Sequence, residues 1–127
     1  MRLGYVIIYV PDVAATAAFF ERAFGLKARF IHESGYAEVE TGATALAFAA
    51  EALASKSVPE FAANRRDSAP AGAEIGLVVE DVPAAFQRAV SAGCTPVLAP
   101  VQKPWGQTVS YVRDLNGFLV EICSAAG

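Results

Sequence analysis

The sequence predicts an α+β fold in which one βαβββ unit is used twice, and three observations carry that prediction. The stretch Tyr5-Val-Ile-Ile-Tyr-Val-Pro-Asp-Val13 returns as Glu74-Ile-Gly-Leu-Val-Val-Glu-Asp-Val82, with Val10, Asp12 and Val13 matched by Val79, Asp81 and Val82. Each copy leads into an Ala-rich helical segment, containing Arg22-Ala23-Phe24 or Arg88-Ala89-Val90, that runs to a glycine, Gly25 or Gly93. Short strand-like runs separated by turn residues then follow each helix. A segment that recurs in this way is one supersecondary unit used twice. At 127 residues the chain is sized for a single domain, with module 1 about 1–50, a connector about 51–72 and module 2 about 73–127.

The elements of module 1 follow from local chemistry. Residues 2–10 are β-branched and aromatic, a strand composition. Alternation puts Val6, Ile8 and Val10 on one side and Tyr5, Ile7 and Tyr9 on the other. The uniformly aliphatic set is the one expected to meet the helix. Pro11 ends the strand, Asp12 caps a helix over 13–24 with Val13, Phe20 and Phe24 on one stripe, and Gly25 fits its C-cap. Strands are expected over 27–33, 36–40 and 44–50, broken by Ser34-Gly35 and Thr41-Gly42. The connector has two prolines and a possible short helix through Phe61, and is the segment expected to be most mobile.

Module 2 repeats the order. Residues 73–79 form a strand with Ile75, Leu77 and Val79 on one side and Glu74, Gly76 and Val78 on the other. Asp81 caps a helix that tolerates Pro83 in its first turn and buries Val82, Phe86 and Ala89 or Val90. A strand over 95–98 gives way to a Pro-rich loop through Pro100, Pro104, Trp105 and Gly106. Strands over 107–113 and 118–124 flank Asn116-Gly117, the strongest short hairpin signal in the chain.

Composition bounds the function. Hydrophobic residues make up 54% and charged residues 18%, little charge to cover a monomer, so a homodimer is expected. A net charge of −3 without a basic stripe argues against nucleic acid. No apolar run approaches the length of a membrane span, and Met1 leads into a strand without the pattern of a signal peptide. Cys94 and Cys123 lack metal-knuckle spacing. These features give the expectation of a cytoplasmic protein with reduced thiols.

Two βαβββ modules, the second ending in Trp105-Gly106, Arg113-Asp114-Leu115-Asn116-Gly117 and Val120-Glu121-Ile122, resemble the vicinal oxygen chelate superfamily. That superfamily includes glyoxalase I, the extradiol dioxygenases, fosfomycin-inactivating enzymes and the bleomycin-resistance proteins. The resemblance implies an incomplete, curled mixed β-barrel with helices outside, around a concave cavity. In metal-using members, ligands enter that cavity from the first and last strands of each half. Such members offer His where this chain has Tyr5, often His where it has Glu74, and Glu where it has Glu121. Aligning Leu46-Ala47-Phe48 with Val120-Glu121-Ile122 places Ala47 at the remaining position. No imidazole is left among the four.

Several residues carry two readings each. Glu74 and Glu121 share a face by strand parity, as a weak oxygen-ligand metal site or an anionic spot for a cationic ligand, or else as carboxylates satisfied by neighbours such as Arg113. Tyr5 is a ligand-bonding phenol or a wall aromatic. Ala45, Ala47 and Ala49 either leave room for a ligand or lie under larger side chains. Trp105 and Tyr111 suit a flat aromatic wall, and Trp105 equally suits an interface. His32, the only histidine, reads as a strand-end surface residue before a general acid–base, and Cys123 as a small core residue before a nucleophile. Asp12 and Asp81 read as helix caps, not as paired acids.

The expected function is metal-independent sequestration of a small aromatic or cationic compound in a dimer cavity, as in bleomycin-resistance-like proteins. The expected ligand-binding residues are Tyr5, Ala47, Glu74, Trp105, Tyr111 and Glu121. The expected partners are a small organic ligand and a second copy, with no cofactor, nucleic acid or membrane. The alternative is a glyoxalase-type lyase or dioxygenase using a divalent metal ion held by Glu74 and Glu121.

Overall fold

Each half of the chain builds its own four-stranded sheet, as seen in a computed structural model that describes residues 1–126. The chain divides after Ala63 into two units. In the first, β1 (Tyr5–Val10), β2 (Ala28–His32), β3 (Tyr36–Val39) and β4 (Ala45–Ala50) take the order β1-β4-β3-β2, with β1 and β4 parallel and the other pairs antiparallel. Helix α1 (Val13–Phe24) forms where the Asp12 side chain accepts the Ala15 N–H at 2.9 Å, and it ends where Gly25 turns left-handed at φ 71°. Its apolar stripe covers the aliphatic side of the sheet, with the rings of Phe20 and Phe48 4.7 Å apart. Val10, Phe20, Val39 and Phe48 have no exposed surface. Each is worth about 1.5–3 kcal/mol by burial.

The second unit repeats this with β5 (Glu74–Val78), α3 (Val82–Ala92), β6 (Thr95–Gln102), β7 (Thr108–Arg113) and β8 (Leu119–Cys123), in the order β5-β8-β7-β6. Asp81 caps α3 by accepting the Ala84 N–H at 3.0 Å, and Gly93 closes it at φ 119°. Val82 and Ala89 of α3 are buried, as are Val112, Val120 and Ile122 on the sheet beneath. Asp12 and Asp81 are therefore caps, and the repeat read from the sequence is a repeat of the fold.

One expectation for the strands of module 2 changes. The start of the Pro-rich stretch after Leu98 is strand, since β6 runs on to Gln102 through Pro96 and Pro100, and the expected loop is confined to the turn that carries Pro104, Trp105 and Gly106. An edge strand accommodates prolines because it has a side with no hydrogen-bonding partner, and the β6–β7 register shifts around these positions. The expected hairpin at Asn116-Gly117 forms between β7 and the antiparallel β8, with Gly117 at positive φ, 85°. Its organiser is Asp114, whose buried Oδ1 accepts the N–H groups of Asn116 at 2.8 Å and Phe118 at 2.9 Å.

The connector is divided between the units and tied down in both. Helix α2 (Glu51–Ala54) is a single turn that ends well before Phe61, and the Phe61 ring instead packs edge-on to Tyr9 at 4.9 Å. Beyond the division, the Arg66 guanidinium donates to Gly93 O and Thr95 Oγ1, and that of Arg113 donates to Arg65 O and Ser68 O. Among the described residues, no helix is long and apolar enough to cross a membrane.

Candidate functional site

The polar residues of module 2 gather on the sheet face turned away from α3. Alternation puts Glu74, Gly76 and Val78 there, and the register sets Gly76 beside Glu121 and Glu121 beside Tyr111. Tyr111 Oη donates to Glu121 Oε2 at 2.7 Å. That bond, then burial, pushes the Tyr111 phenol up to about 12. Partial burial of the Glu74 carboxyl and, second, the charge of Glu121 hold Glu74 above the usual carboxylate range. Cys123 lies on the same face but is buried, and burial first, then Glu121, raises its thiol to about 11. It is a core thiol, not a nucleophile at neutral pH.

Arg113 does not neutralise this pair. Its Nε donates to Gly117 O at 2.8 Å, and its Nη2 to Ser68 O at 2.6 Å and Arg65 O at 3.1 Å. Arg29 pairs with Glu38 and Glu40, and among the described residues neither Glu74 nor Glu121 is paired with a cation.

Module 1 is built differently on the corresponding face. The register aligns Ile7, Ala47, Glu38 and Phe30 in one row and Tyr9, Ala49, Tyr36 and His32 in the next. Ala47 stands where Glu121 stands in module 2, and it is 0% exposed; Ala45 and Ala49 are also buried. The three alanines are buried and do not form an exposed floor. Tyr5 is exposed at the edge. Glu38, which the sequence reading passed over, accepts from Tyr36 Oη at 2.9 Å and lies 3.5 Å from the Arg29 guanidinium. Burial first, then this bond, pushes Tyr36 up to about 12. The signal was present: Tyr36 and Glu38 alternate onto the side of the alanine row.

The expected site residues thus divide. Glu74, Tyr111 and Glu121 come together on one face. Tyr5 and Ala47 belong to the other sheet. Trp105 lies in the β6–β7 turn, 64% exposed, with its Nε1 donating to Gln107 Oε1 at 2.9 Å, and it is outside the Gly76–Glu121–Tyr111 row. His32 is exposed, and its Nδ1 accepts from Ser34 N at 3.1 Å. With Asp12, Val13, Gly35 and Ala50 it lines an open cleft of about 300 Å³ at the start of α1.

A divalent metal fits this donor set poorly. Among the described residues no three of His, Cys, Asp and Glu are gathered in a ligand arrangement. Glu74 and Glu121 supply carboxylates alone, where sites for borderline metals combine more nitrogen or sulfur donors.

The fold is that of several solved structures. A glyoxalase-related enzyme from Fulvimarina pelagi superposes with a TM-score of 0.84 at 20% identity, over 98% of this chain and 88% of the other. A glyoxalase/bleomycin resistance protein/dioxygenase family enzyme from Burkholderia phytofirmans PsJN gives 0.77 at 22% identity, over 98% of both chains. A glyoxalase/bleomycin resistance protein/dioxygenase from Nocardioides gives 0.77 at 16% identity, over 99% of this chain and 84% of the other. No curated protein matches the sequence. The model of one family does match, over residues 2–122, which spans both modules and every residue of the Gly76–Glu121–Tyr111 row, and by that match the chain belongs to the glyoxalase/bleomycin resistance protein/dioxygenase superfamily.

Proposed function

We propose that this member of the superfamily is a cytoplasmic small-molecule-binding protein that sequesters a cationic aromatic compound, without a metal and as a homodimer. One observation carries the reading. Glu121 is fixed at one oxygen by the Tyr111 phenol, Glu74 stands on the same face, and neither is ion-paired among the described residues. Two like charges side by side disfavour joint ionisation, and a bound cation relieves them. The rest of this face is apolar: Val78, Leu98 and Val101 share it and are exposed. Exposed apolar surface of this kind supports both a ligand with an aromatic body and a second copy. Sequestration needs affinity alone, so the absence of a nucleophile or an imidazole beside Glu121 is no obstacle.

The test is thermal unfolding of the protein, at low salt, against a panel of aromatic cations and their neutral and anionic counterparts. A ligand at a hundred times its Kd adds about 2.7 kcal/mol to stability, which such a panel detects. Cations should stabilise the wild type, and Glu121→Gln should abolish that stabilisation. A panel that leaves the wild type unmoved, or a variant that binds as well, would end the reading. Metal in near-stoichiometric amount surviving dialysis would turn the work to lyase and dioxygenase substrates.

A further inference from the structure

We infer that Gly76 sets the specificity of this face: its missing side chain leaves a slot through which an amidinium or primary ammonium group reaches Oε1 of Glu121. This rests on the binding function just proposed and names the ligand group it selects. Gly76 lies in β5, an edge strand, and is exposed. It pairs with Glu121, which pairs in turn with Tyr111, so the three form one row across the sheet. Tyr111 occupies Oε2. A Cβ at position 76 would lie 3.5 Å from Oε1, and that oxygen is the one atom bordering the space within 4 Å.

The backbone does not require glycine here. Gly76 is absent from the glycines with positive φ, so an L-residue fits its conformation. Nor does packing of α3 require it, because α3 covers the opposite side of the sheet, where Ile75 and Leu77 point. A glycine inside a strand weakens the strand, and where turn geometry does not explain it, close approach of another group does.

The slot's borders name that group. Glu74 and Val78 flank Gly76 on the same face, their Cα atoms about 13 Å apart at ~3.3 Å per residue, with open space between. Oε1 accepts hydrogen bonds only, and Glu74 adds a second carboxylate. A neutral amide would leave that charge unmatched, and a carboxylate would be repelled. A flat nitrogen cation donates to Oε1 edge-on, while its body lies along the apolar surface of Val78.

Benzamidine and its neutral isostere benzamide are the probes, titrated by calorimetry into wild type, Gly76→Ala, Gly76→Val and Glu121→Gln. Benzamidine should bind wild type at least about tenfold more tightly than benzamide, a difference of about 1.4 kcal/mol. Gly76→Val should lose at least about tenfold in benzamidine affinity while its melting temperature stays level or rises, because a β-branched residue replaces glycine in a strand. Gly76→Ala, whose added carbon makes only ordinary contact, should fold as wild type and fall between; it keeps the test open if the valine variant fails to fold. Loss of binding in Glu121→Gln with full binding in both Gly76 variants would overturn the slot and leave the binding function standing. A wild type that binds neither benzamidine nor any cation of the wider panel would overturn both.

Discussion

The two modules are near copies on the sides that meet their helices and strangers on the other sides. Asp12 and Asp81 cap, Gly25 and Gly93 close, and Phe48 and Ile122 occupy the same place beneath α1 and α3. Turned over, the sheets part company. Module 1 has Ala47 buried beside a Glu38 that is bonded by Tyr36 and near Arg29. Module 2 has Glu121 at the Ala47 position, bonded by Tyr111 from the neighbouring strand, with Glu74 in place of Tyr5. Both sheets use a tyrosine to hold a glutamate. Among the described residues, only module 1 also brings a cation to it. The duplicated scaffold therefore holds one face whose charge is settled internally and one whose charge is left for something else to settle.

Breaking the shared half should have the largest effect and should be alike in both modules. Phe48→Ala removes the ring that packs on Phe20, and Ile122→Ala removes its counterpart under α3, each from a fully buried site. Costs of about 3–5 kcal/mol for the first and about 2–5 kcal/mol for the second are expected. Urea unfolding followed by circular dichroism measures both. A loss below about 1 kcal/mol in either module would mean that its helix face is not the scaffold described.

The turns before the last strands sharpen the comparison at intermediate size. Gly42 precedes β4 and Gly117 precedes β8, and both have positive φ, 112° and 85°. A Cβ on Gly42 meets nothing within 4 Å, whereas one on Gly117 would fall 2.5 Å from Arg65 O and 2.6 Å from Arg113 Nη2. Gly42→Ala should therefore cost only the backbone strain, about 1–3 kcal/mol. Gly117→Ala should cost that and more, because the Arg113 bonds to Arg65 and Ser68 must give way. Limited proteolysis should cut 64–72 faster in Gly117→Ala than in Gly42→Ala. Equal midpoints and equal cutting would show that Arg113 does not hold the connector.

What the sequence disclosed follows the same division. The caps, the helix stripes and the alternation of β1 and β5 were legible because each is a local pattern with one physical cause. Parity alone put Glu74 and Glu121 on one face. Contacts that depend on register or on chain returning from afar were not legible. Arg113 was a candidate partner for the carboxylates and instead binds the connector, 45 and 48 positions back. The alanine row was open to two readings until the burial of Ala47 settled its packing. Trp105 was legible as a loop residue from its Pro104 and Gly106 neighbours, but its distance from the row of Tyr111 depends on the sheet register. Proline at 100 read as loop because edge position is a property of the sheet, not of the stretch.

The smallest effect lies on the module 2 face and turns on proton linkage. Burial and the charge of Glu121 raise Glu74 above the usual carboxylate range in the folded chain. Between its unfolded pKa, near ~4.3, and the higher folded value, the native state holds more protons than the unfolded state. Stability from this group is accordingly full below the unfolded value and is lost as pH rises through the folded one. At neutral pH the ionised Glu74 opposes folding, and Glu74→Gln should stabilise by roughly 0.5 kcal/mol or less, since solvent screens a partly exposed group. The variant should also flatten the pH dependence across the acidic window. Melting curves from pH 4 to 7 in wild type and variant read both effects. A variant less stable than wild type at neutral pH would mean that the Glu74 carboxylate is held by an attractive partner, and the charge left open on this face would then be that of Glu121 alone.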